Sequence, residues 1–484
     1  MKKLLLILMS ISISLCTFAN HKVVDVKKAG SFPDYISDWE KYNIDSITVS
    51  GPLNGTDIGW LRDMAGSSIN GRKTNGSLRY IDMTNAKIVE GGSFYFDGEA
   101  GGIHHITCYT ANDTIGPSMF AKCNKLERIL LPNTAKTTDA RSFESCENLK
   151  SVVIPNSFEA IGWYSFDYCT KLESIDIPNS IRKIEAGAFI SCALVNVTIP
   201  NSVTQIDNDI FLDCDKLRSV VLPDNLETIP SRMFGGCSNL RSITIPNSVT
   251  TIEDLAFMDC AKLTSIDLPS SLTTIGSTYS GGTFMRCRSL ESINLPNTVT
   301  LLKSDSFSGC SSLKSVNISN SITEIEENMF KDCTSLKTVT IPNSITNIGR
   351  SAFEHCENLV SLYISESLIQ IEDKAFYYCR KLNDIYINAT VPPRCINDPF
   401  ELVRKTVCAL HVPTNCKSSY TSANLWKDFD NILEFGVTGI DDIKPDNNKI
   451  IQYYTIDGIP LKAPIHGINI VKMSDGTAKK VFIK

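Results

Sequence analysis

A segment that occurs twelve times in this chain reads, in one regular copy, Phe143-Glu-Ser-Cys146-Glu-Asn-Leu149-Lys-Ser-Val152-Val-Ile154-Pro155-Asn-Ser157-Phe-Glu-Ala-Ile161. Each copy has a phenylalanine three residues before a cysteine, and these cysteines are Cys123, Cys146, Cys169, Cys192, Cys214, Cys237, Cys260, Cys287, Cys310, Cys333, Cys356 and Cys379. Neighbouring cysteines are 23 residues apart, except for one interval of 22 residues and one of 27. A fixed period of this length predicts a solenoid in which each copy forms one coil.

Within a copy, the pattern Leu-x-x-[Ile/Val]-x-[Ile/Leu] predicts a short strand with one face turned inward, here through Leu149, Val152 and Ile154. The proline that usually follows, such as Pro155, cannot donate a hydrogen bond to a neighbouring strand, so we expect it to end the strand. One coil cannot bury its inward side chains alone. Coils stacked about 4.8 Å apart bury them as continuous columns and pair their strands in a parallel sheet.

The copies resemble leucine-rich repeats and, more closely, those of the BspA-like bacterial surface proteins, whose repeat is similar to IPNSVTxIxxxAFxxCxxLxSI. The resemblance covers residues 116–388. It implies a leucine-rich-repeat solenoid with a parallel β-sheet on its concave face and short turns or strands on its other faces. Where other leucine-rich repeats carry a ladder of asparagines, this chain has Ser157, Ser180, Ser202, Ser248, Thr298 and Ser344. We expect these hydroxyls to bond to the neighbouring backbone.

The first 19 residues have the features of a secretory signal peptide: two lysines, an apolar stretch, and a Thr17-Phe-Ala19 cleavage site. The alternative is a lipid-modified Cys16, although the bulky Leu15 before it does not suit that modification. This beginning of the chain predicts export from the cell.

Residues 20–115 are predicted to form an N-terminal cap and atypical first repeats, because the end of a solenoid has one face that meets water. Two segments, Ile44–Leu53 and Leu78–Ile88, carry the strand pattern without the Phe-x-x-Cys turn. Between them, from Trp60 to Arg79, we expect a helix followed by a loop. We expect the aromatic, glycine-flanked loop at 91–102 to fold over the first coils.

The repeat pattern decays after Cys379, and residues 389–436 are predicted to form a C-terminal cap. The spacing of four apolar residues there predicts a helix that covers the last coil; they are Tyr420, Trp426, Phe429 and Ile432. Residues 437–448 form a polar linker. Residues 449–484 alternate like three or four short strands and resemble the C-terminal sorting tail of Bacteroidetes secreted proteins, which implies a type IX secretion route. The alternative is a small β module without a role in export.

The chain has seventeen cysteines, which in a secreted protein raises the question of disulfides. The twelve repeat cysteines fall on one column, where stacking makes their Cβ vectors parallel instead of convergent. We therefore expect free, buried thiols that act as small apolar groups and have no hydrogen-bond partner. Cys395, Cys408 and Cys416 lie outside the column and are candidates for one bridge in the C-terminal cap.

Composition and motifs argue against several classes of function. The formal charge is −6, and no basic stripe suited to nucleic acid is visible. No internal apolar run reaches the length of a transmembrane helix. The repeats contain no recurrent carboxylate pair, Gly-x-Ser-x-Gly or phosphate loop, and the six histidines form no set of metal ligands. We therefore expect a protein that is not an enzyme and needs no cofactor or metal.

The outward positions of the predicted strands are mostly small and polar, but Tyr363 and Tyr386 occupy the same outward position one repeat apart. Tyr377 and Tyr378 lie in the adjoining turn. Because interface hot spots favour tyrosine, these four residues are the predicted partner-binding residues. The alternative is that their rings pack against the C-terminal cap near Trp426.

These observations predict a monomeric leucine-rich-repeat protein of a Bacteroidetes-like bacterium, secreted or held at the cell surface in association with the outer membrane. The resemblance implies adhesion, through binding to proteins of a host or a neighbouring cell. One alternative is a spacer that holds other modules away from the surface. Another is an enzyme or a glycan-binding component that uses a pocket between cap and repeats.

Overall fold

A computed structural model describes residues 20–100, 104–277 and 281–435 and, towards the C-terminus, 450–454, 460–461, 467–473 and 478–483. The predicted signal peptide and the predicted linker lie outside the described residues. The chain divides into two compact units, Met1–Ser271 and Leu272–Lys484.

The first unit begins with a small mixed region. Its elements are β1 (His21–Asp25), a 3-10 helix (Phe32–Tyr35), α1 (Asp38–Lys41), β2 (Ser46–Leu53), α2 (Gly55–Met64), β3 (Tyr80–Asp82), β4 (Ala86–Ile88), β5 (Gly91–Ala100) and β6 (His104–Thr110). The strands predicted within Ile44–Leu53 and Leu78–Ile88 are confirmed. The helix expected between Trp60 and Arg79 is present but begins earlier, at Gly55, and ends at Met64. β1, β2 and β3 pair in parallel, with β1 at the edge of the sheet.

The repeats of the first unit form two kinds of strand. In chain order they are β7 (Thr114–Ile115), β8 (Arg128–Leu130), β9 (Thr137–Thr138), β10 (Ser151–Val153), β11 (Ala160–Ile161), β12 (Lys183–Ile184), β13 (Asn196–Thr198), β14 (Gln205–Ile206), β15 (Ser219–Val221), β16 (Thr228–Ile229) and β17 (Thr251–Ile252). The three-residue strands are the predicted ones, and we call them front strands. The two-residue strands are called back strands; β7, β9, β11, β12 and β14 pair in parallel in one sheet, and β16 pairs with β17 in another.

The front strands are not continuous, although the sequence predicts one in every repeat. Residues 174–176 have no strand conformation, and Thr244 and Asp267 form only an isolated bridge. The inward side chain Ile175 is nevertheless buried. The repeat therefore keeps its apolar column even where strand pairing is lost.

The second unit continues with the same two kinds of strand. They are β18 (Thr274–Ile275), β19 (Ser292–Asn294), β20 (Leu301–Leu302), β21 (Ser315–Asn317), β22 (Glu324–Ile325), β23 (Thr338–Ile341), β24 (Asn347–Ile348), β25 (Ser361–Ile364), β26 (Gln370–Ile371), β27 (Asp384–Ile387) and β28 (Arg394–Cys395). The predicted fold class, a leucine-rich-repeat solenoid with a parallel sheet and a small C-terminal β module, is confirmed.

After the repeats come β29 (Ala409–Pro413), α3 (Lys417–Ser422), a 3-10 helix (Trp426–Asp428) and β30 (Asn431–Phe435). Front strands and end strands form one parallel sheet in the order β23-β25-β27-β29-β30. The tail consists of β31 (Ile450–Tyr454), β32 (Pro460–Leu461), β33 (Gly467–Met473) and β34 (Ala478–Ile483), which pair antiparallel.

A column of stacked phenylalanine rings runs through the core of each unit. Its members are Phe120, Phe143, Phe166, Phe189, Phe211, Phe234 and Phe257 in the first unit, and Phe284, Phe307, Phe330, Phe353, Phe376 and Phe400 in the second. Neighbouring ring centroids lie between 5.2 and 5.9 Å apart. Phe400 extends the column by one position beyond the last Phe-x-x-Cys turn.

The repeat cysteines are free and buried, as expected, but they do have hydrogen-bond partners. Cys146 Sγ donates to the carbonyl oxygen of Phe120 at 3.0 Å, and Cys237 Sγ donates to that of Phe211 at 3.2 Å. The same bond is made by Cys169, Cys192, Cys214, Cys260, Cys310, Cys333, Cys356 and Cys379. The expectation of a column without polar partners is therefore wrong, because stacking brings each thiol against the phenylalanine carbonyl of the preceding turn.

The hydroxyls at the asparagine-ladder position behave in two ways. Ser157 Oγ donates to the carbonyl oxygen of Ala135 at 2.6 Å, as expected, and Ser248 Oγ donates to that of Leu226 at 2.6 Å. For Ser180, Ser202 and Ser344 the expectation is wrong, since their hydroxyls are buried without a partner.

The ends of the repeat region differ from their predicted conformations. The described part of the predicted loop, residues 91–100, is a strand, since β5 forms an antiparallel hairpin with β6. Tyr95 and Phe96 in this hairpin are buried, as expected for a segment that covers the first coils. The predicted single closing helix is wrong, because α3 ends at Ser422 and Ile432 lies in β30, although all four of its apolar residues are buried.

The disulfide suggested for the C-terminal cap is not formed. Cys395, Cys408 and Cys416 are all free. Cys395 lies in β28, Cys408 directly precedes β29, and Cys416 precedes α3, so the three occupy different elements.

Candidate binding surface

The outward residues of the front strands are small in most of the first unit. Ser151 and Asn196 are typical, and the larger exceptions are Val153 and Val221. Side chains alternate along a strand, so these residues face away from the buried positions between them. This part of the sheet offers few groups that could anchor a partner.

Three aromatic rings stack on the outward face near the end of the second unit. Tyr363 in β25, Tyr386 in β27 and His411 in β29 are register partners of one another. The ring centroids of Tyr363 and Tyr386 are 4.8 Å apart, and those of Tyr386 and His411 are 4.2 Å apart. Both ring pairs are within 7° of parallel. All three side chains are half-buried, and we call this stack the aromatic column.

Two further residues hold the aromatic column in place. The Oδ1 atom of Asp384 is 3.0 Å from Nε2 of His411. The ring centroids of Phe435 and Tyr386 are 6.5 Å apart, in an edge-on arrangement. Burial raises the pKa of the Tyr386 hydroxyl, and the charge of Asp384 raises it further. The hydroxyl is therefore a neutral donor and acceptor at ordinary pH.

The sequence analysis predicted Tyr363 and Tyr386 side by side, which the structure confirms, but it missed His411. The signal was present, because Leu410 and Val412 flank His411 as Ile385 and Ile387 flank Tyr386. The predicted alternative was that the tyrosine rings pack against the C-terminal cap at residues 389–436. It holds for Tyr386, whose ring contacts His411 and Phe435 of that cap. Trp426 and Phe429 of the same cap contact Phe400 instead, at 5.3 and 5.5 Å between ring centroids.

Tyr377 and Tyr378 lie in a turn, where they surround a histidine. The His355 ring is 5.7 Å from that of Tyr377 and 4.9 Å from that of Tyr378. His355 Nδ1 is 3.0 Å from Oδ1 of Asp332, and the Arg380 guanidinium lies 3.6 Å above the Tyr378 ring. The four predicted residues thus form two pairs, one on the strands and one in the turn.

A turn of the first unit carries exposed aromatic residues that the sequence analysis did not select. Trp163 and Tyr168 expose 50% and 55% of their surface. The Trp163 ring is 5.2 Å from that of Tyr164, and the Arg141 guanidinium is 4.6 Å from the Tyr164 ring. The signal was three large aromatic residues within one Phe-x-x-Cys turn, at positions where other repeats have small or charged residues.

A groove of about 460 Å³ crosses the back strands of the first unit. It contains two carboxylates, but each already accepts a local hydrogen bond. Asp207 Oδ1 accepts from Gln205 at 3.1 Å, and Glu253 Oε2 accepts from the Ser231 amide at 2.9 Å. The groove therefore does not present a pair of acids held free for a reaction.

The repeats match the family described as "BspA type Leucine rich repeat region", over residues 92–218, 206–280 and 278–393. The matched segments together run from residue 92 to residue 393, which is more than half of the chain. The chain belongs to the BspA-type leucine-rich repeat family. Proteins of this family and fold are typically non-enzymatic binding scaffolds, and the bacterial relatives are surface proteins.

Two solved structures illustrate the likeness. A leucine-rich repeat protein from Bacteroides ovatus is 29% identical, with 68% of this chain and 88% of that chain covered and a TM-score of 0.54. A leucine-rich cell surface protein from Faecalibacterium prausnitzii is 30% identical, with coverages of 58% and 84% and a TM-score of 0.41. Among curated proteins, none matches this chain. None of the helices in the described ranges is long and apolar enough to cross a bilayer.

Proposed function

We propose that this BspA-type protein is a secreted or cell-surface adhesion protein that binds another protein through the aromatic column. The observation that carries the proposal is the stack of Tyr363, Tyr386 and His411 on a sheet whose outward residues are otherwise mostly small. Tyrosine offers a large contact area with few rotatable bonds, which is why binding surfaces use it. Tyr377 and Tyr378 form a second, smaller contact area in this proposal.

The proposed partners are proteins of a host or of neighbouring cells. The membership of the chain in a family with bacterial surface proteins supports this choice. Export is proposed to use the signal peptide at residues 1–19, and the tail at 449–484 is proposed as a sorting signal that directs the protein to the outer membrane or releases it.

The second candidate function is a spacer. The small, polar outward residues of the first unit favour this function. A surface without large side chains offers little to bind a partner, but its repeats still lengthen the molecule. The two candidate functions make different predictions for removal of the tyrosine rings: an adhesion protein loses affinity for its partner, whereas a spacer has no such affinity to lose.

The test compares the capture of surface proteins by the wild-type chain, by the double variant Tyr363→Ala with Tyr386→Ala, and by Tyr168→Ala. Tyr168 is the control because it is a tyrosine of the other unit that lies outside the aromatic column and is more exposed than Tyr363 and Tyr386. We expect a partner that binds the wild type and the control but binds the double variant more weakly, by more than about 2 kcal/mol or roughly thirtyfold in Kd. Thermal stability should change little.

Two outcomes would contradict the proposal. A double variant that melts at a lower temperature but still captures the partner would show that the tyrosine rings serve packing. If no partner is captured by any of the three proteins, the spacer becomes the better description.

A further inference from the structure

β1 is a short strand at the open edge of the sheet in the first unit. It pairs only with β2 in the strand order of that sheet. The backbone N–H of Val26 donates to the carbonyl oxygen of Ser50 at 2.9 Å, and the backbone N–H of Asp45 donates to the carbonyl oxygen of Asn20 at 3.3 Å. Backbone groups alternate in direction along a strand, so the even-numbered residues face β2. The amides and carbonyls of His21, Val23 and Asp25 therefore point away from the sheet.

An edge of this kind can pair with another strand unless the protein blocks it. Proline, a bulge or an inward-pointing charge would block it, and β1 has neither proline nor a shift in its register with β2. Lys22 is a charge on the inner side of β1, but it is already paired with Glu40, at 2.5 Å between Nζ and Oε1, so strand pairing at this edge would not bury an unpaired charge. The edge is thus open for a partner strand.

The outer face of β1 has an apolar centre between two polar residues. Val24 is buried on the core side, whereas Val23 exposes 69% of its surface on the other. His21 and Asp25 flank Val23 on the same face and are also exposed. Asp25 accepts from Lys27 at Oδ2 and from Ser50 at Oδ1, and each carboxylate oxygen can accept one further hydrogen bond. Nδ1 of His21 lies 2.8 Å from Ser46 Oγ. In the tautomer in which Nδ1 accepts from this hydroxyl, Nε2 carries the proton and can donate to a partner.

We propose that a second copy of this chain pairs with β1, strand against strand and antiparallel. A two-fold axis through Val23 places Val23 against Val23 of the second copy. The same axis places His21 of each copy opposite Asp25 of the other, so the contact contains two equivalent His–Asp pairs. An imidazole N–H opposite a carboxylate is a favourable cross-strand pair, and two valines make an apolar contact. The sequence His-Lys-Val-Val-Asp is therefore complementary to itself in this arrangement.

The directions of the backbone groups agree with this arrangement. In an antiparallel sheet, opposite residues that exchange hydrogen bonds must both point towards the other strand. The axis through Val23 pairs odd-numbered residues only with odd-numbered residues, and these are the ones whose backbone groups face outward. The three pairs give about six hydrogen bonds, two for each pair. The contact is isologous, as expected for a two-fold dimer.

The contact area along one short strand is small, so the dimer should form in a concentration-dependent way. The proposed dimer differs from the monomer that the sequence predicts, and the experiment below distinguishes the two. The interface uses none of the residues of the aromatic column, so a dimer leaves the proposed contact surface for a protein partner unaffected. Failure of one proposal therefore leaves the other standing.

The experiment is sedimentation equilibrium of the full chain, exported by its producing cell, over a wide range of concentrations. The wild type should pass from monomer to dimer as the concentration rises. His21→Asp should lower the association constant at least about tenfold, because it places like charges opposite each other twice. The double variant His21→Asp with Asp25→His exchanges the two groups and should restore the dimer.

A backbone variant tests strand pairing separately from charge. Val23→Pro removes an outward amide that β2 does not use, so it should abolish the dimer while the circular dichroism spectrum stays unchanged. Val23→Thr keeps the amide and is the matched control, which should still dimerise. If Val23→Pro fails to fold, the charge exchange still decides the question.

A monomer at every concentration would overturn the proposal. A dimer that neither His21→Asp nor Val23→Pro weakens would also overturn it, because the contact would lie elsewhere. Binding of an unrelated extended peptide to β1 in place of self-association would show that the edge is open but that its occupant is not a second copy.

Discussion

Asp167 occupies a position where burial works against its charge. It follows Phe166, as Glu144 follows Phe143 one repeat earlier, and both carboxyl groups are buried. Arg141 pairs with Glu144 at 3.0 Å, while Oδ1 of Asp167 and Oε2 of Glu144 have no partner. Burial, and after it the charge of Glu144, raises the pKa of Asp167 to about 7.

This shift predicts how the stability of the protein depends on pH. The folded-state pKa of Asp167 lies above its ordinary value of 3.8, so the folded state holds the proton more tightly than the unfolded state does. The stability that this proton contributes is fully present below the ordinary value and is lost as the pH rises to about 7. Asp167→Asn, which stays neutral, should therefore raise the free energy of unfolding above pH 7, by up to a few kcal/mol.

Urea unfolding at a pH near 4 and at a pH near 8 checks the prediction. Asp215→Asn is the control, because Asp215 is an exposed aspartate two repeats later. If Asp167→Asn instead lowers the free energy of unfolding at the higher pH as much as at the lower pH, the prediction is contradicted. The charged form of Asp167 would then not destabilise the folded state.

Single positions also show what the sequence can and cannot reveal. The spacing of the cysteines predicted that they form one buried column, since a fixed period determines which residue stacks on which. It could not predict that Cys237 donates to the Phe211 carbonyl, because that bond depends on the path of the backbone through a turn. Ser157 and Ser180 illustrate the same point, as equivalent hydroxyls of which only one finds a partner.

Helix α2 is joined to the first repeat turn by one buried side chain. The guanidinium of Arg62 is fully buried and donates to the carbonyl oxygens of Ser118, Met119 and Ala121 at 2.8, 2.9 and 3.1 Å. It also lies over the Phe96 ring at 4.9 Å. One side chain thus supplies hydrogen-bond donors to a turn that no preceding repeat covers.

Arg62→Met should destabilise the first unit by about 3 kcal/mol or more, because it leaves buried carbonyl groups without their donor. The measurement is the midpoint of thermal unfolding, compared with that of Arg72→Met. Arg72 is an exposed arginine ten residues later, and its loss should change the midpoint little. Equal effects of the two substitutions would show that α2 is held by its apolar contacts alone.

Elements at the two ends were harder to predict than the repeats between them. Four apolar residues of the C-terminal cap fit the spacing of one helix, but the structure divides them among several elements. Tyr420 lies in α3 and Trp426 in the 3-10 helix, Phe429 directly follows that 3-10 helix, and Ile432 lies in β30. All four are buried in either arrangement, so burial alone could not distinguish them. Inside the repeats, the next copy of the sequence provides a check on each assignment; at the ends no such check exists.

Within the second unit, the tail differs from the repeats in how its strands pair. Both units contain parallel strands joined by repeat turns, which a 23-residue period predicts directly. The strands β31 to β34 form a separate antiparallel sheet. In the described part of the tail, the side chain of Gln452 donates to the carbonyl of Leu461 at 2.6 Å, which is a bond within the tail itself.

This separation predicts that the tail is not needed for the stability of the repeats. Deletion of residues 449–484 should leave the melting temperature of the remaining chain nearly unchanged, because β31 to β34 pair with one another and β30 pairs with β29. The same deletion should change where the protein is found, with less of it at the cell surface or outside, if the tail is the proposed sorting signal. The two measurements are calorimetry of the truncated chain and fractionation of the producing bacterium. If the truncated chain fails to fold, the stability prediction is wrong and the tail packs against the C-terminal cap. If the protein is distributed between the fractions as before, the tail is a β module without a role in export.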